Sequence, residues 1–248
     1  MRLSKAWLVA SRDFKVFRRQ KNIWYSIIAF PIIISVLFPL ILEYAGQRSG
    51  GSGGLSAANL PNLLNSFSFF VVIGAAFIPL GIASYSIVGE KIEKSLEPLL
   101  ATPLTDGEIL LGKAIAALLP ALVAMYAGAA FFMVGTDAVT FGKLGYNYFP
   151  NWTFGVLLLV VVPVAVVMSV LYSVIVSSRV NDVRSASSYG ILIFLPFMAI
   201  YLASEIRIIS LDINGLLIIA GILSAIDIAL YFVSTAAFQR EEILTKWK

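Results

Sequence analysis

Six apolar runs, at roughly 23–42, 63–88, 114–134, 152–177, 187–204 and 215–237, alternate with short polar segments along the chain. Each is long enough to cross a hydrocarbon core of about 30 Å as a helix, and backbone polar groups within that core must be satisfied inside the segment. The pattern predicts an all-α, polytopic membrane protein of six transmembrane helices, read as one domain over 1–248. Six crossings put both termini on one side. Fifteen Lys and Arg fall on that side and three, Arg48, Lys143 and Arg207, on the other. The bias predicts cytoplasmic termini and a cytoplasmic loop around residue 100.

Before the first run, Leu3, Trp7, Ala10, Phe14 and Phe17 recur at helical spacing, with Lys5, Arg12, Lys15, Arg18 and Arg19 on other faces. This predicts an interfacial elbow helix within 1–22, lying on the inner leaflet. Prolines interrupt five of the six runs, at Pro31, Pro39, Pro79, Pro120, Pro163 and Pro196. Each removes an intrahelical hydrogen bond and predicts a distortion. Ala124 with Gly128, and Gly221 with Ala225, have the small-residue spacing that lets helices approach closely. Gly46 to Ser56 reads as a flexible Gly/Ser linker, and none of the outward loops is long enough for an external domain.

Composition narrows the chemistry. The chain is 59% hydrophobic, with a mean hydropathy of +0.91. It has no cysteine and no histidine, which removes disulfides, thiolate nucleophiles, the usual proton shuttle and the commonest metal ligand. The sequence pI of about 9.3 comes from Lys and Arg at the ends of apolar runs, a pattern suited to anionic lipid and to topology, so the expected partner is the bilayer and not nucleic acid.

The densest charge and turn chemistry lies in the loop at 89–113. Ile92, Leu96, Leu99 and Leu100 share one helical face, while Glu90, Glu93, Lys94 and Glu97 occupy others and Pro98 breaks the element. An apolar knob with charged flanks suits docking into a groove on a soluble partner. Thr105-Asp-Gly-Glu108 has capping-box spacing and predicts a helix start running into the third span. Gly107 to Ala114 comes close to a P-loop spacing, but Ala114 stands where a magnesium-binding hydroxyl is required and no strand precedes it.

Asp227 is the only acid near the middle of a run, and such a group costs about 2.5–3.5 kcal/mol on insertion scales. Ser224, Asp227, Tyr231 and Ser234 form one stripe on the last span. No Lys, Arg or His lies deep in any run, so Asp227 is protonated, bonded to hydroxyls such as those of Tyr126 or Tyr172, or met by a polar or cationic substrate. Ser224, Asp227 and Tyr231 are therefore candidates for a substrate path. The same acid supports an alternative reading, a stand-alone ion-coupled secondary transporter.

The central loop resembles the cytoplasmic signature of permease subunits in the second family of ABC exporters, the ABC-2-type transporters. Glu90 and Glu93 match that family's glutamates at the end of span two. Leu96, Glu97, Leu99 and Leu100 match its coupling-helix core, and Thr102, Pro103, Gly112 and Lys113 match the exit into span three. The pattern departs at Lys94-Ser95, where members often carry Gly-Thr. The resemblance implies an ATP-driven exporter in a prokaryotic cell membrane, with this chain as its non-catalytic membrane subunit. It further implies coupling through Glu90 to Pro103, two ABC ATPase subunits, and a second permease copy or homologue. No cofactor is expected in this chain, ATP and Mg being bound by the partner subunits.

Overall fold

The structure is a computed structural model that describes residues 3–48, 60–92, 102, 104–180, 182–206 and 208–237. Among them the regular elements are all helical. Ten α-helices run in order: α1 (Leu3–Phe17), α2 (Lys21–Ile32), α3 (Phe38–Arg48), α4 (Leu60–Ile92), α5 (Asp106–Leu144), α6 (Trp152–Val156), α7 (Val162–Arg179), α8 (Val183–Gly190), α9 (Phe194–Glu205) and α10 (Ile213–Ala237). They assemble into the six expected membrane-spanning segments: Ile27–Tyr44, Leu60–Ala83, Asp106–Leu144, Trp152–Arg179, Arg184–Glu205 and Ile213–Thr235.

Three of the prolines account for the breaks within these segments. A proline ring clashes with the carbonyl four residues earlier and offers that carbonyl no N–H. The residue four before Pro39 is Ser35, inside a π-helical turn at Ile33–Leu37; the residue four before Pro163 is Leu159, inside another at Leu157–Val161. The residue four before Pro196 is Leu192, inside a 3₁₀ turn at Ile191–Ile193. In each case the helix widens or tightens at the orphaned carbonyl and resumes afterwards. Pro79 and Pro120 lie within helices that continue unbroken.

The second and fourth segments form the centre. α4 packs along α7, and its membrane window is 72% buried, against 22–24% for the first, fifth and sixth segments. The contact face carries Val72, Ala76 and Ile73 from α4 and Ala165, Val166 and Val170 from α7, with the Ser169 hydroxyl donating to the Ala76 carbonyl oxygen. α10 lies on the other side of α7, and α5 flanks α4. The first segment leans on α5 through two proline-to-glycine contacts. A Cβ on Gly128 would come within 2.5 Å of Pro31, and one on Gly135 within 3.2 Å of Pro39, so these glycines let the helices close up. The expected pair Gly221 and Ala225 plays no such part: both are exposed, and nothing lies within 4 Å of a Cβ on Gly221.

α5 differs most from its expected span of 114–134. Its 39 residues extend for about 58 Å, nearly twice the hydrocarbon thickness. The helix begins at the Thr105 cap and ends at Gly145, whose φ of 75° closes it in the left-handed region glycine favours. Its extra turns are held by packing: Val139 and Leu144 rest on a small cluster of Leu42, Leu60 and Leu64.

Candidate functional site

Three places in the bundle concentrate polar chemistry: the root of α5, the lower half of α10, and a cleft at the opposite end of the molecule. At the root of α5 the capping box forms as its spacing predicts. Thr105 is extended and its Oγ1 accepts from the Glu108 N–H at 3.3 Å, while Glu108 Oε2 accepts from the Thr105 N–H at 3.2 Å. The Glu108 carboxylate is buried, at the helix end where negative charge is favoured.

α1 packs directly on this root. Ala6, Val9, Ala10, Asp13 and Phe17 form its buried face. Gly112 makes the approach possible, since a Cβ there would lie 2.6 Å from both the Ala6 carbonyl oxygen and Val9 Cβ. One turn further along α1, Asp13 Oδ2 sits 3.6 Å from Lys113 Nζ, and the two side chains are only 5% and 1% exposed. The expected apolar face of the elbow therefore divides. Ala10 and Phe17 turn into the protein, whereas Leu3 and Trp7 are exposed. Lys113, counted among the surface charges that set topology, is buried. The near-P-loop run Gly107 to Ala114 lies wholly within α5, so its backbone N–H groups from the second turn onward serve the helix.

Of the residues expected to couple to an ATPase, Glu90 stands in the last turn of α4 and Thr102 is half-buried. Glu93, Leu96, Glu97, Leu99, Leu100 and Pro103 lie outside the described residues. What the fold supplies is their frame: the loop leaves the end of the most buried helix and re-enters at a capped helix to which α1 is clamped. Sequence reasoning missed Asp13 and the clamp it makes. The signal was available as Ala6, Ala10, Asp13 and Phe17, a helical stripe that carries the only acid of a basic arm.

On α10 the stripe of Ser224, Asp227, Tyr231 and Ser234 does not act as one face. Asp227 and Ser224 are half-buried and Ser234 is buried, with its hydroxyl donating to the Tyr231 carbonyl oxygen at 2.9 Å. Tyr231 is 47% exposed. Asp227 continues the buried row of Leu216, Ala220 and Leu223, the row by which α10 meets its neighbours. Its Oδ1 is enclosed and has no hydrogen-bond partner among the described residues. The hydroxyls expected to satisfy it do not: Tyr172 donates to the Tyr189 carbonyl oxygen at 3.0 Å, and Tyr126 is partly exposed on α5. On α7, Ser173 Oγ is likewise enclosed and, among the described residues, unpartnered. Unsatisfied buried polar groups are rare and call for an explanation beyond packing.

At the opposite end, an open cleft of about 610 Å³ is lined by polar side chains, including Asn62, Asn65, Ser66, Thr153, Glu205 and Asp212. Its walls are fixed by local caps. Asp212 Oδ1 accepts from the Gly215 N–H at 2.8 Å and the Ser210 hydroxyl at 2.7 Å, opening α10. These bonds hold its carboxyl below the usual carboxylate range, the Ser210 hydroxyl contributing most. Asn151 Oδ1 accepts from the Phe154 N–H at 2.8 Å, opening α6. Asp137 Oδ1 accepts from the backbone N–H groups of Tyr148 and Phe149 at 3.0 and 3.1 Å, and the Tyr148 hydroxyl donates to Asn65 Oδ1 at 2.9 Å. The cleft joins positions far apart in the sequence: Glu205 and Asp212 flank one short connector, and Asn62 stands at the edge of a different apolar run. Among the described residues no group of three or more carboxylates is placed to hold a metal ion.

A family model described as "ABC-2 family transporter protein" matches residues 7–243. No curated protein matches the chain.

Proposed function

The chain belongs to the ABC-2 transporter family, as a multi-pass membrane permease, and on that premise we propose that it is the transmembrane subunit of an ATP-driven ABC exporter. In this reading it works with two ABC ATPase subunits and a second permease copy or homologue. ATP and Mg are bound in the ATPase subunits, both termini are cytoplasmic, and the membrane is that of a prokaryotic cell. The observation that carries the reading is the mechanical frame of the loop at 90–113. Its entry is the end of α4, packed along α7 at the centre of the bundle, and its exit is the capped start of α5. Force applied to Leu96, Leu99 and Leu100, with Glu90, Glu93, Glu97, Thr102 and Pro103 around them, would reach both helices at once. The buried Asp13–Lys113 pair and the Gly112 contact would carry α1 along with α5.

The substrate path follows α10, where Asp227 offers an enclosed, unpartnered carboxyl oxygen, and leaves by the polar cleft beside Asp212 and Glu205. Ser224 flanks the path, while Tyr231 faces outward and contributes at most through a second copy. That same oxygen favours a second reading, a secondary transporter in which Asp227 carries a proton or sodium ion without an ATPase. Co-purification separates the two. Replacing Leu99 and Leu100 by Asp puts unpaired charge into a desolvated contact at a cost of several kcal/mol, enough to release a partner held at micromolar affinity. The double variant should insert normally, lose its ATPase subunit on purification and lose transport. A variant that keeps both would show the loop to be only a connector.

A further inference from the structure

We propose that the groove between α2 and α5 is a binding site for one acyl chain of an anionic phospholipid from the leaflet nearest α1, with Arg18 holding the headgroup. The groove has a volume of about 600 Å³ and is open on its outer side. Pro31 and Gly128 meet at its floor, and Phe17, Trp24, Ala127 and Phe131 are among its walls. Those walls are almost wholly apolar, and among the described residues the only charged one is Arg18, at the turn between α1 and α2.

Length and charge decide the occupant. From Trp24 to Ser35, the groove follows about 16 Å of helix, and Pro120 to Phe131 gives the same length on α5. One leaflet of a hydrocarbon core of about 30 Å is about 15 Å deep. The groove therefore spans a single leaflet, with its charged end at headgroup level. Trp24 is fixed there, its indole N–H donating to the Arg18 carbonyl oxygen at 3.4 Å. Arg18, Arg19 and Lys21 are exposed side by side, and among the described residues none has an acidic partner. A transmembrane helix from a second copy would cover the apolar wall and leave these three cations unmatched. A neutral lipid would do the same. An anionic phospholipid satisfies both ends.

Trp24 supplies the reporter. The full chain is reconstituted in phosphatidylcholine vesicles carrying a minor fraction of either phosphatidylglycerol or phosphatidylcholine brominated on the acyl chains, since bromine quenches tryptophan on contact. The difference between wild type and Trp24→Phe isolates the signal from the groove. Brominated phosphatidylglycerol should quench with about fivefold higher apparent affinity than brominated phosphatidylcholine, the factor that one cation at an anionic lipid supplies. Arg18→Gln should cut the preference severalfold and Arg18→Lys should preserve it. Ala127→Phe, which fills the groove, should weaken both. Equal quenching by the two lipids in wild type overturns the proposal, and that ratio decides alone should Arg18→Gln fail to fold. So does quenching that disappears as protein density rises while cysteines placed in the groove crosslink copy to copy, which would assign the groove to a second chain.

Discussion

Breaking the clamp between α1 and α5 should be the most costly single-residue change in the half of the bundle that holds α1. Asp13 and Lys113 attract one another at 3.6 Å with about 4–5 kcal/mol at an effective dielectric of about 20. Desolvation of two nearly inaccessible side chains offsets most of that, so the pair as a whole adds little over an apolar pair of the same shape. Removing one partner is different. Asp13→Asn takes a counter-charge from the enclosed Lys113 ammonium, and Lys113→Met takes one from the enclosed carboxylate, each at about 3–5 kcal/mol. At roughly 2–4 °C per kcal/mol for a chain of this size, each single variant should lower the unfolding midpoint by about 6–20 °C. The double variant Asp13→Asn/Lys113→Met should recover much of the loss. The assay is thermal unfolding of the purified chain in detergent for all four proteins, read as a double-mutant cycle, which isolates the pair from the other contacts both side chains make. Single variants within about 1 kcal/mol of wild type, the range of exposed ion pairs, or a double variant equal to the sum of the singles, would refute the clamp.

Two further changes test neighbouring parts of the account. Gly112→Ala gains about 1 kcal/mol in helix propensity, yet its Cβ would lie 2.6 Å from the backbone oxygen of Ala6, so α1 must move; a cysteine placed at buried Ala10 should become reactive in that background and stay protected without it. Asp227→Asn should leave expression and thermal stability near wild type, because no hydrogen bond to Oδ1 is lost, while changing transport or substrate-stimulated ATPase activity; parallel loss of folding and transport would make Asp227 structural.

The sequence was legible wherever one local rule decided the outcome. Span number followed from length and hydropathy, and the start of α5 followed from Thr105 and Glu108, because a capping box needs only residues three apart. Pro39, Pro163 and Pro196 announced their distortions, but not whether the chain would widen into a π turn or tighten into a 3₁₀ turn, which depends on what packs alongside. Readings failed where two distant segments had to meet. Lys113 looked like a topogenic surface charge because Asp13, its partner, is 100 positions earlier and sits in an arm whose basic residues suggested lipid. Gly128 and Gly221 have equivalent spacing to a small neighbour, yet only Gly128 finds a proline ring opposite it. The polar cleft was invisible for the same reason, being assembled from the ends of α4, α6 and α9 and the connector before α10, which only the fold brings together.

The central claim is that an ATPase subunit seats on the loop between α4 and α5. The chain contains no cysteine, so a single cysteine at Leu99 or Leu100 is a unique handle. With the ATPase subunit co-expressed in native membranes, a short bifunctional thiol reagent should join position 99 or 100 to the ATPase, and a cysteine at Gly50 should give no such product. Crosslinking from Gly50, or none from 99 and 100 while the complex still co-purifies, would place the ATPase elsewhere and contradict the account.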